Sequence, residues 1–439
     1  MSAKTVAEQV DSFARELRLT DVPAHVRRQL ALLLLDHIAV SEAGRLAPAS
    51  RIAADHASEV YGGDAATSLF DGRRLSVPGA AFANGVQANA LDYDDGHRLT
   101  KGHPGAIVIP AVLAVAESVD ATVEQLLEAI VVGYEVAIRA GVLIHEREAQ
   151  YHASASWGGL GVAVAAGRLL GLDRAALRHA VGIAEYHAPI ALMPRAVGDP
   201  AMTKDTCGWG GVIGTTSALL AARGFTGLDS EFMQADEPLE LGTRWECLEL
   251  YLKPYPCCRW SQPAVDAALA LRAQLDDPGE ISSIVVHTFA EADLLSQRRP
   301  ENTEEMQYSL VWPVATALVR GRFGVDEALG GFDDELVARL VARTRIEIDP
   351  AFSAAFPARR LTGVELGLDD GRTLRSGAVE AGGEPGSPGF EEVVLGKVRR
   401  QLLPEATSLA LVPAPPTGTV GGRSRDELVA LCCYALAGR

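Results

Sequence analysis

The sequence predicts a mainly α-helical protein that carries a smaller α+β module, and three observations predict it. Apolar residues recur at helical spacing through most of residues 78–223. Small residues, mostly Ala and Gly, fill those runs, which lets helices approach one another closely. After Lys253-Pro-Tyr-Pro256 the pattern changes: a β-rich run, Ile281 to Phe289, is followed by further strand candidates set between helices.

In chain order, residues 5–18 read as an amphipathic helix and 23–44 as a second, opened by Pro23 and stopped at Gly44. The stretch Leu30-Ala-Leu-Leu-Leu-Leu35 is apolar on most faces, which puts that helix in the middle of a helical layer. Residues 62–77 read as a loop or hairpin. Helices follow at 78–91, 105–118, 122–142, 155–170, 174–184 and 209–223, and 225–252 forms a connection with shorter helical pieces. In the α+β module, helix 262–275 precedes strand 281–289. Strands at 345–348, 363–368 and 373–379 come later, with helices at 309–320 and 334–343 before them. Ala381 to Gly389 is a Gly/Pro loop, and helices at 390–402 and 425–438 flank a Pro-rich connector, Val412 to Gly422.

At 439 residues the chain has room for two or three domains, or one large domain with an insertion. A net charge of −17 repels nucleic acid and anionic membranes and excludes both as main partners. Any site for an anionic substrate must therefore gather its own positive charge. Cys257–Cys258 and Cys432–Cys433 are adjacent pairs and no C-x-x-C occurs, so neither a disulfide framework nor a zinc site is supported. A reducing cytoplasm fits this usage, and residues 1–19 lack a signal-peptide core. The apolar runs are too short to span a bilayer.

The chemistry concentrates at 88–105. An apolar helical run ends in Asp92, Asp94 and Asp95; His97 and His103 follow, and Pro104-Gly105 opens another apolar run. Charge at the mouth of two buried helices is costly unless paired or used. The carboxylates suit orienting an imidazole or holding Mg²⁺ or Ca²⁺, and read equally as a helix end merging into a solvated turn. His103 precedes a helix N-terminus, whose partial positive charge should depress an imidazolium pKa, as suits a general base or a donor to a carboxylate.

Three further junctions share this character. His152-Ala-Ser154-Ala-Ser156 precedes an Ala/Gly-rich helix, and reads also as an N-cap beside a surface imidazole. Lys204 precedes Cys207-Gly-Trp-Gly-Gly211 and can bind a carboxylate; no strand precedes these glycines, which rules out a dinucleotide loop. In Lys253-Pro-Tyr-Pro-Cys257-Cys258-Arg259, the flanking cations should lower a thiol pKa, though two buried structural cysteines fit as well.

Together and in this order these segments resemble the MmgE/PrpD family, which includes 2-methylcitrate dehydratase, cis-aconitate decarboxylase and iminodisuccinate epimerase. The likeness rests on Asn89-Ala-Leu-Asp-Tyr-Asp-Asp95 with His103-Pro104, the His152 segment ending in Leu169-Leu-Gly-Leu-Asp173, Lys204 with Gly208, Lys253 to Arg259, and Met306-Gln-Tyr-Ser-Leu310. It implies a large all-helical domain (1–255) completed by C-terminal helices (391–439), with an inserted α+β lid (256–390) and the site between the two. It also implies a homodimer, no organic cofactor and no obligatory metal.

By the same resemblance Asp92, His103, His152, Lys204 and Lys253 are site residues. Cys258 is a candidate second base, and His97, Arg259, Tyr186, His187 and Trp312 are candidate substrate-binding residues. Gly96 stands where the decarboxylase pattern has Thr, Cys258 and Gln262 where it has His, and Trp312 where it has Tyr. Glu185-Tyr186-His187 fills a stretch of usually small residues. These departures weigh against cis-aconitate as such and imply a reshaped pocket. The expected activity is a cofactor-independent lyase or isomerase, 2-methylcitrate dehydratase-like, that abstracts a proton next to a carboxylate of a small di- or tricarboxylic acid. The alternatives are an iminodisuccinate-type epimerase using Cys258, or a decarboxylase or repurposed biosynthetic enzyme of the same family.

Overall fold

The computed structural model describes residues 4–148, 150–236, 238–402 and 419–420. Its helical part holds α1 (Val6–Glu16), α2 (Ala24–Gly44), α3 (Pro48–Val60), α4 (Val77–Asn89), α5 (Gly105–Ser118), α6 (Val123–Arg147), α7 (Ala155–Leu169), α8 (Arg174–Tyr186), α9 (Met193–Gly198) and α10 (Cys207–Ala221). Side-chain caps start several of them. Thr5 and Thr122 close capping boxes with Glu8 and Gln125, and Asp173 accepts from the Ala176 amide. Helix α3 is absent from the sequence reading. Its buried face is Ala49, Ala53, Ala54 and Ala57, a stripe of methyl groups with too little apolar contrast to stand out. The expected hairpin at 62–77 forms as β1 (Gly62–Thr67) and β2 (Arg74–Leu75).

Two short strands, β3 (Gly96–His97) and β4 (Leu250–Tyr251), pair antiparallel and tie the Asp-rich turn to the segment that leads into Lys253. The α+β module then follows with α11 (Gln262–Arg272), β5 (Ile281–Thr288), α12 (Thr303–Gln307), α13 (Val311–Arg320), α14 (Val325–Leu329), α15 (Glu335–Ala342), β6 (Thr344–Ile348), α16 (Pro350–Ala355), β7 (Leu361–Leu368), β8 (Thr373–Arg375) and β9 (Val379–Glu380). The sheet order is β6-β5-β7-β8, with β9 also on β7; β5 and β6 are parallel and the other pairs antiparallel.

Two large apolar cores result. One gathers α2, α5, α6, α7 and α8; the other gathers α11, α13, β5 and β7. After the sheet the chain returns: α17 (Phe390–Gln401) inserts Phe390, Val394 and Val398 into the first core, beside α2. That contact includes a buried ion pair, Lys397 Nζ to Asp36 Oδ1 at 2.7 Å. Lys397 also donates to the Tyr93 carbonyl at 2.8 Å, so the returning helix holds the backbone next to Asp92. The expected helix at 425–438 and nearly all of the Pro-rich connector lie outside the described residues. No described helix is long and apolar enough to cross a membrane.

Candidate active site

Three helix beginnings meet at one point. His103 lies just before α5, Ser154 just before α7, and Asp205 just before α10. The His103 amide donates to Ser154 Oγ at 2.9 Å, and Ser154 Oγ donates to Asp205 Oδ1 at 3.1 Å. These bonds tie the three beginnings to one another; none of the three helices has a side-chain cap of its own. The local backbone is bent to reach this geometry. Asp92, Lys204 and Thr206 have φ of 51°, 35° and 56°, in the left-handed region. Asp tolerates it, but for Lys and Thr it costs about 1–3 kcal/mol each, strain that gathers at functional sites.

The His103 ring is clamped between carboxylates. Its Nε2 lies 3.3 Å from Asp92 Oδ1 and 3.7 Å from Asp205 Oδ2; its Nδ1 lies 3.2 Å from Asp94 Oδ2 and 2.8 Å from the Asp95 carbonyl. Burial opposes a charge on this imidazole, but Asp94 and Asp205 outweigh it and hold the pKa up at about 9. This corrects the expectation of a depressed pKa: adjacent full charges dominate the partial charge of a helix end. His103 is an imidazolium at neutral pH, a donor to a carboxylate and an acid, not a resting base. Asp94, although buried, is held below the usual carboxylate range by His103. Asp95 accepts from Tyr134 Oη at 2.7 Å and the Gly105 amide at 2.9 Å, yet burial pushes it up to about 7.

Lys253 completes the cluster. Its ammonium, 1% exposed, lies 2.7 Å from Asp92 Oδ1 and 2.8 Å from the Asp92 carbonyl. Burial disfavours its charge, but Asp92 outweighs that and raises its pKa. Asp92, Asp94 and His103 present ligand atoms within 4.8 Å of one another. These atoms already neutralise each other, with Lys253 as the counter-charge, so the arrangement is an ion-paired network rather than a cation cage.

Beside the network opens a small pocket. Asp92, His103, Asp205, Lys253, Cys258 and Tyr308 are on its wall. The Cys258 thiol contradicts the sequence reading. Burial, then Asp92, pushes it up to about 12 despite Lys253, so it is protonated at neutral pH and no ready base. Arg259 also reaches the wall, but its guanidinium is engaged with Glu384 Oε1 at 2.6 Å, the Gly382 carbonyl at 2.8 Å and Gln262 Oε1 at 3.0 Å.

The other candidates lie elsewhere. Lys204 sits in the partition behind Asp205; it donates to the Asn89 carbonyl and to Gln307 Oε1 at 2.6 Å, and borders a separate cavity with Trp209. His152 is buried one residue from the pocket. Segment 151–153 pairs with 191–193, so Tyr151 meets the pocket, and the His152 ring packs 6.0 Å from His145. His97 is buried against Glu246, 3.5 Å away, and serves the β3–β4 pairing. Tyr186 is 73% exposed and His187 is exposed too, because α8 ends at the surface where Glu185 caps the Glu231 and Phe232 amides. Neither is on the pocket wall. Trp312 packs in the second core against Phe332 and borders another cavity.

Among the polar residues on the pocket wall, sequence reasoning missed Asp205, Tyr308, Tyr151, Tyr251 and Lys101. Asp205 adjoins Lys204, and Tyr308 lies inside the quoted Met306–Leu310 stretch, so both were within reach. Tyr308 Oη donates to Asp205 Oδ2 at 3.4 Å, and burial, then Asp92, raises the Asp205 carboxyl above its usual range despite His103.

Comparison with known proteins agrees over nearly the whole chain. Residues 8–238 match the MmgE/PrpD N-terminal domain and 255–407 the MmgE/PrpD C-terminal domain. The cis-aconitate decarboxylase of Aspergillus terreus is 24% identical over 429 residues, covering 88% of this chain and 84% of that protein. The mouse (Mus musculus) cis-aconitate decarboxylase is 26% identical over 412 residues, covering 85% and 82%. The cis-aconitate decarboxylase-like protein oryM of Aspergillus oryzae is 25% identical over 386 residues, covering 77% and 79%.

Proposed function

The chain belongs to the MmgE/PrpD family, and from that premise we propose that it is a cofactor-independent lyase acting on a small tricarboxylic acid through a carbanion next to a carboxylate. The observation that carries this is His103, an imidazolium clamped by Asp92 and Asp94 beside the buried Lys253 ammonium. In a protein of net charge −17 these cations, with Lys101 and Arg259 also on the pocket wall, are what a polycarboxylate would meet. They bind substrate carboxylates and stabilise the charge that develops as a bond to carbon breaks. His103 then supplies the proton.

Loss of CO₂ is the first reading, since the relatives carry that name and a resting acid suits it. The C–C bond to the departing carboxylate breaks, its electron pair is delocalised toward a remaining carboxylate, and His103 protonates carbon. The substitutions Gly96, Cys258 and Gln262 direct the search to relatives of cis-aconitate as well as the acid itself. Loss of water is the second reading, favoured by Asp205. A raised carboxyl pKa suits a group that takes a proton from carbon while His103 protonates the leaving hydroxyl. Epimerisation needs a base on each face, and the Cys258 thiol at about 12 is a poor one. A homodimer in the cytoplasm remains the expected context, testable for oligomeric state by light scattering.

The test is proton NMR in D₂O with cis-aconitate and with 2-methylcitrate. CO₂ release with one deuterium on the product supports decarboxylation; an alkene from the hydroxy acid supports dehydration. Exchange without either loss supports epimerisation and overturns the lyase reading, as does no reaction with any di- or tricarboxylate.

A further inference from the structure

Four cations stand on the pocket wall: Lys101, His103, Lys253 and Arg259. Three of them are already answered by carboxylates of the protein. His103 lies among Asp92, Asp94 and Asp205, and Lys253 lies on Asp92. Arg259 is held by Glu384, which Arg98 and Arg360 also approach. The fourth is different. Among the described residues no carboxylate pairs with the Lys101 ammonium. Its neighbour His145 is an imidazole whose pKa burial lowers and the Lys101 charge lowers further.

The loop holds Lys101 in a set position. Residue 101 has φ of 51°, in the left-handed region that glycine adopts freely and lysine does not. The Tyr151 hydroxyl donates to its carbonyl. The half-buried side chain lies over the Tyr151 ring, with Nζ 5.3 Å from the centroid, and that ring is on the same wall. An aromatic face attracts an ammonium weakly and leaves its charge in place. The charge therefore remains available to an incoming anion. A flexible four-carbon stem with rotatable donors can turn from the ring to meet one.

The balance of the wall turns on this charge. His103, Lys253 and Arg259 are matched by Asp92, Asp94 and Glu384, with Asp205 in addition. Without Lys101 the pocket would attract a polycarboxylate no better than the rest of a chain of net charge −17.

We propose that Lys101 captures a carboxylate of the substrate, exchanging the Tyr151 ring for it, and that its charge gives the pocket its affinity for polycarboxylates. This deepens the lyase reading and rests on it. His103 and Lys253 act at the reacting carbon; Lys101, two positions before His103, is a binding residue.

The experiment is isothermal titration calorimetry of the full-length protein with tricarballylate, which has three carboxylates, at about 20 mM and about 500 mM NaCl. Lys101→Gln should weaken binding by about tenfold at low salt, and the gap to the native protein should narrow to about threefold or less at high salt. Lys101→Arg keeps the charge and should stay within about threefold of native. Lys101→Gly suits the backbone at this position, so it should fold at least as stably as the native protein and still lose as much affinity as Lys101→Gln. Native-like binding by the Gln or Gly variant would overturn the proposal. So would a Lys101→Arg loss as large as that of Lys101→Gln, or a loss that salt does not change. If Lys101→Gln does not fold, Lys101→Gly decides alone. A native protein that binds neither tricarballylate nor the dicarboxylate glutarate overturns the polycarboxylate reading itself, and the role of Lys101 with it.

Discussion

The Tyr251 ring fills the space that any side chain at residue 96 would need. A Cβ built on Gly96 lands on the Tyr251 ring, and the two residues pair directly across β3 and β4. The absence of a side chain at 96 is therefore the condition for an aromatic wall at 251.

Gly96→Thr should destabilise the protein by about 1–3 kcal/mol through overpacking. Tyr251→Leu in the same chain should recover much of that loss. A double-mutant cycle by urea denaturation measures the coupling; additive effects would show that the two positions do not share one space.

Lys253→Met should cost about 3–5 kcal/mol, because Asp92 is left charged and buried. Asp92→Asn together with Lys253→Met should restore stability by removing both charges, while activity stays absent. Denaturant midpoints and turnover on the same preparations separate the two effects.

The stability contributed by His103 depends on pH with a definite sign. Its folded pKa, about 9, lies above the ordinary 6.5. The contribution is therefore fully present below about pH 6.5 and is lost as pH rises through about 9. The native protein minus His103→Gln should show a stability difference that shrinks across that window. Lyase activity dependent on the imidazolium should fall on the same alkaline limb. A flat difference curve would contradict the clamped imidazolium.

Cys258→Ala should keep turnover within about threefold, since a thiol at about pH 12 is not a resting base. Iodoacetamide labelling of Cys258 should be slow at pH 7.5. A loss of about a hundredfold or more in Cys258→Ala would bring back the two-base epimerase.

Tyr186→Ala and His187→Ala should change stability by no more than about 0.5 kcal/mol and turnover by no more than about twofold, as surface substitutions do. Steady-state kinetics on the single variants checks this.

The helices α4 to α8 and α10 were legible because their apolar residues repeat with helical period over long runs; the short α9 (Met193–Gly198) was not read. Helix α3 was not, because alanine gives a weak contrast between its two faces. At the site, Asp92, His103 and Lys253 stood out as charged residues at the ends of apolar segments, where burial demands a partner. Tyr186 and His187 misled because a helix pattern does not say which end of the helix reaches the surface. The pKa of His103 was read with the wrong sign: the sequence showed the helix beginning behind the ring, but not that Asp94 and Asp205 close on it from two sides.

Composition, periodicity and the order of the polar junctions were enough to specify a mainly helical protein with strands in its later part, its family resemblance, and a cluster of charged junctions in an acidic chain. Those are properties of local spacing and of summed charge. Only the folded chain decided which junctions share a cavity, that Lys204 stands behind its wall, and that Arg360 joins Arg98 and Arg259 at Glu384. Such pairings join residues up to hundreds of positions apart, and their energies depend on distances of a few ångströms that no single stretch of sequence encodes.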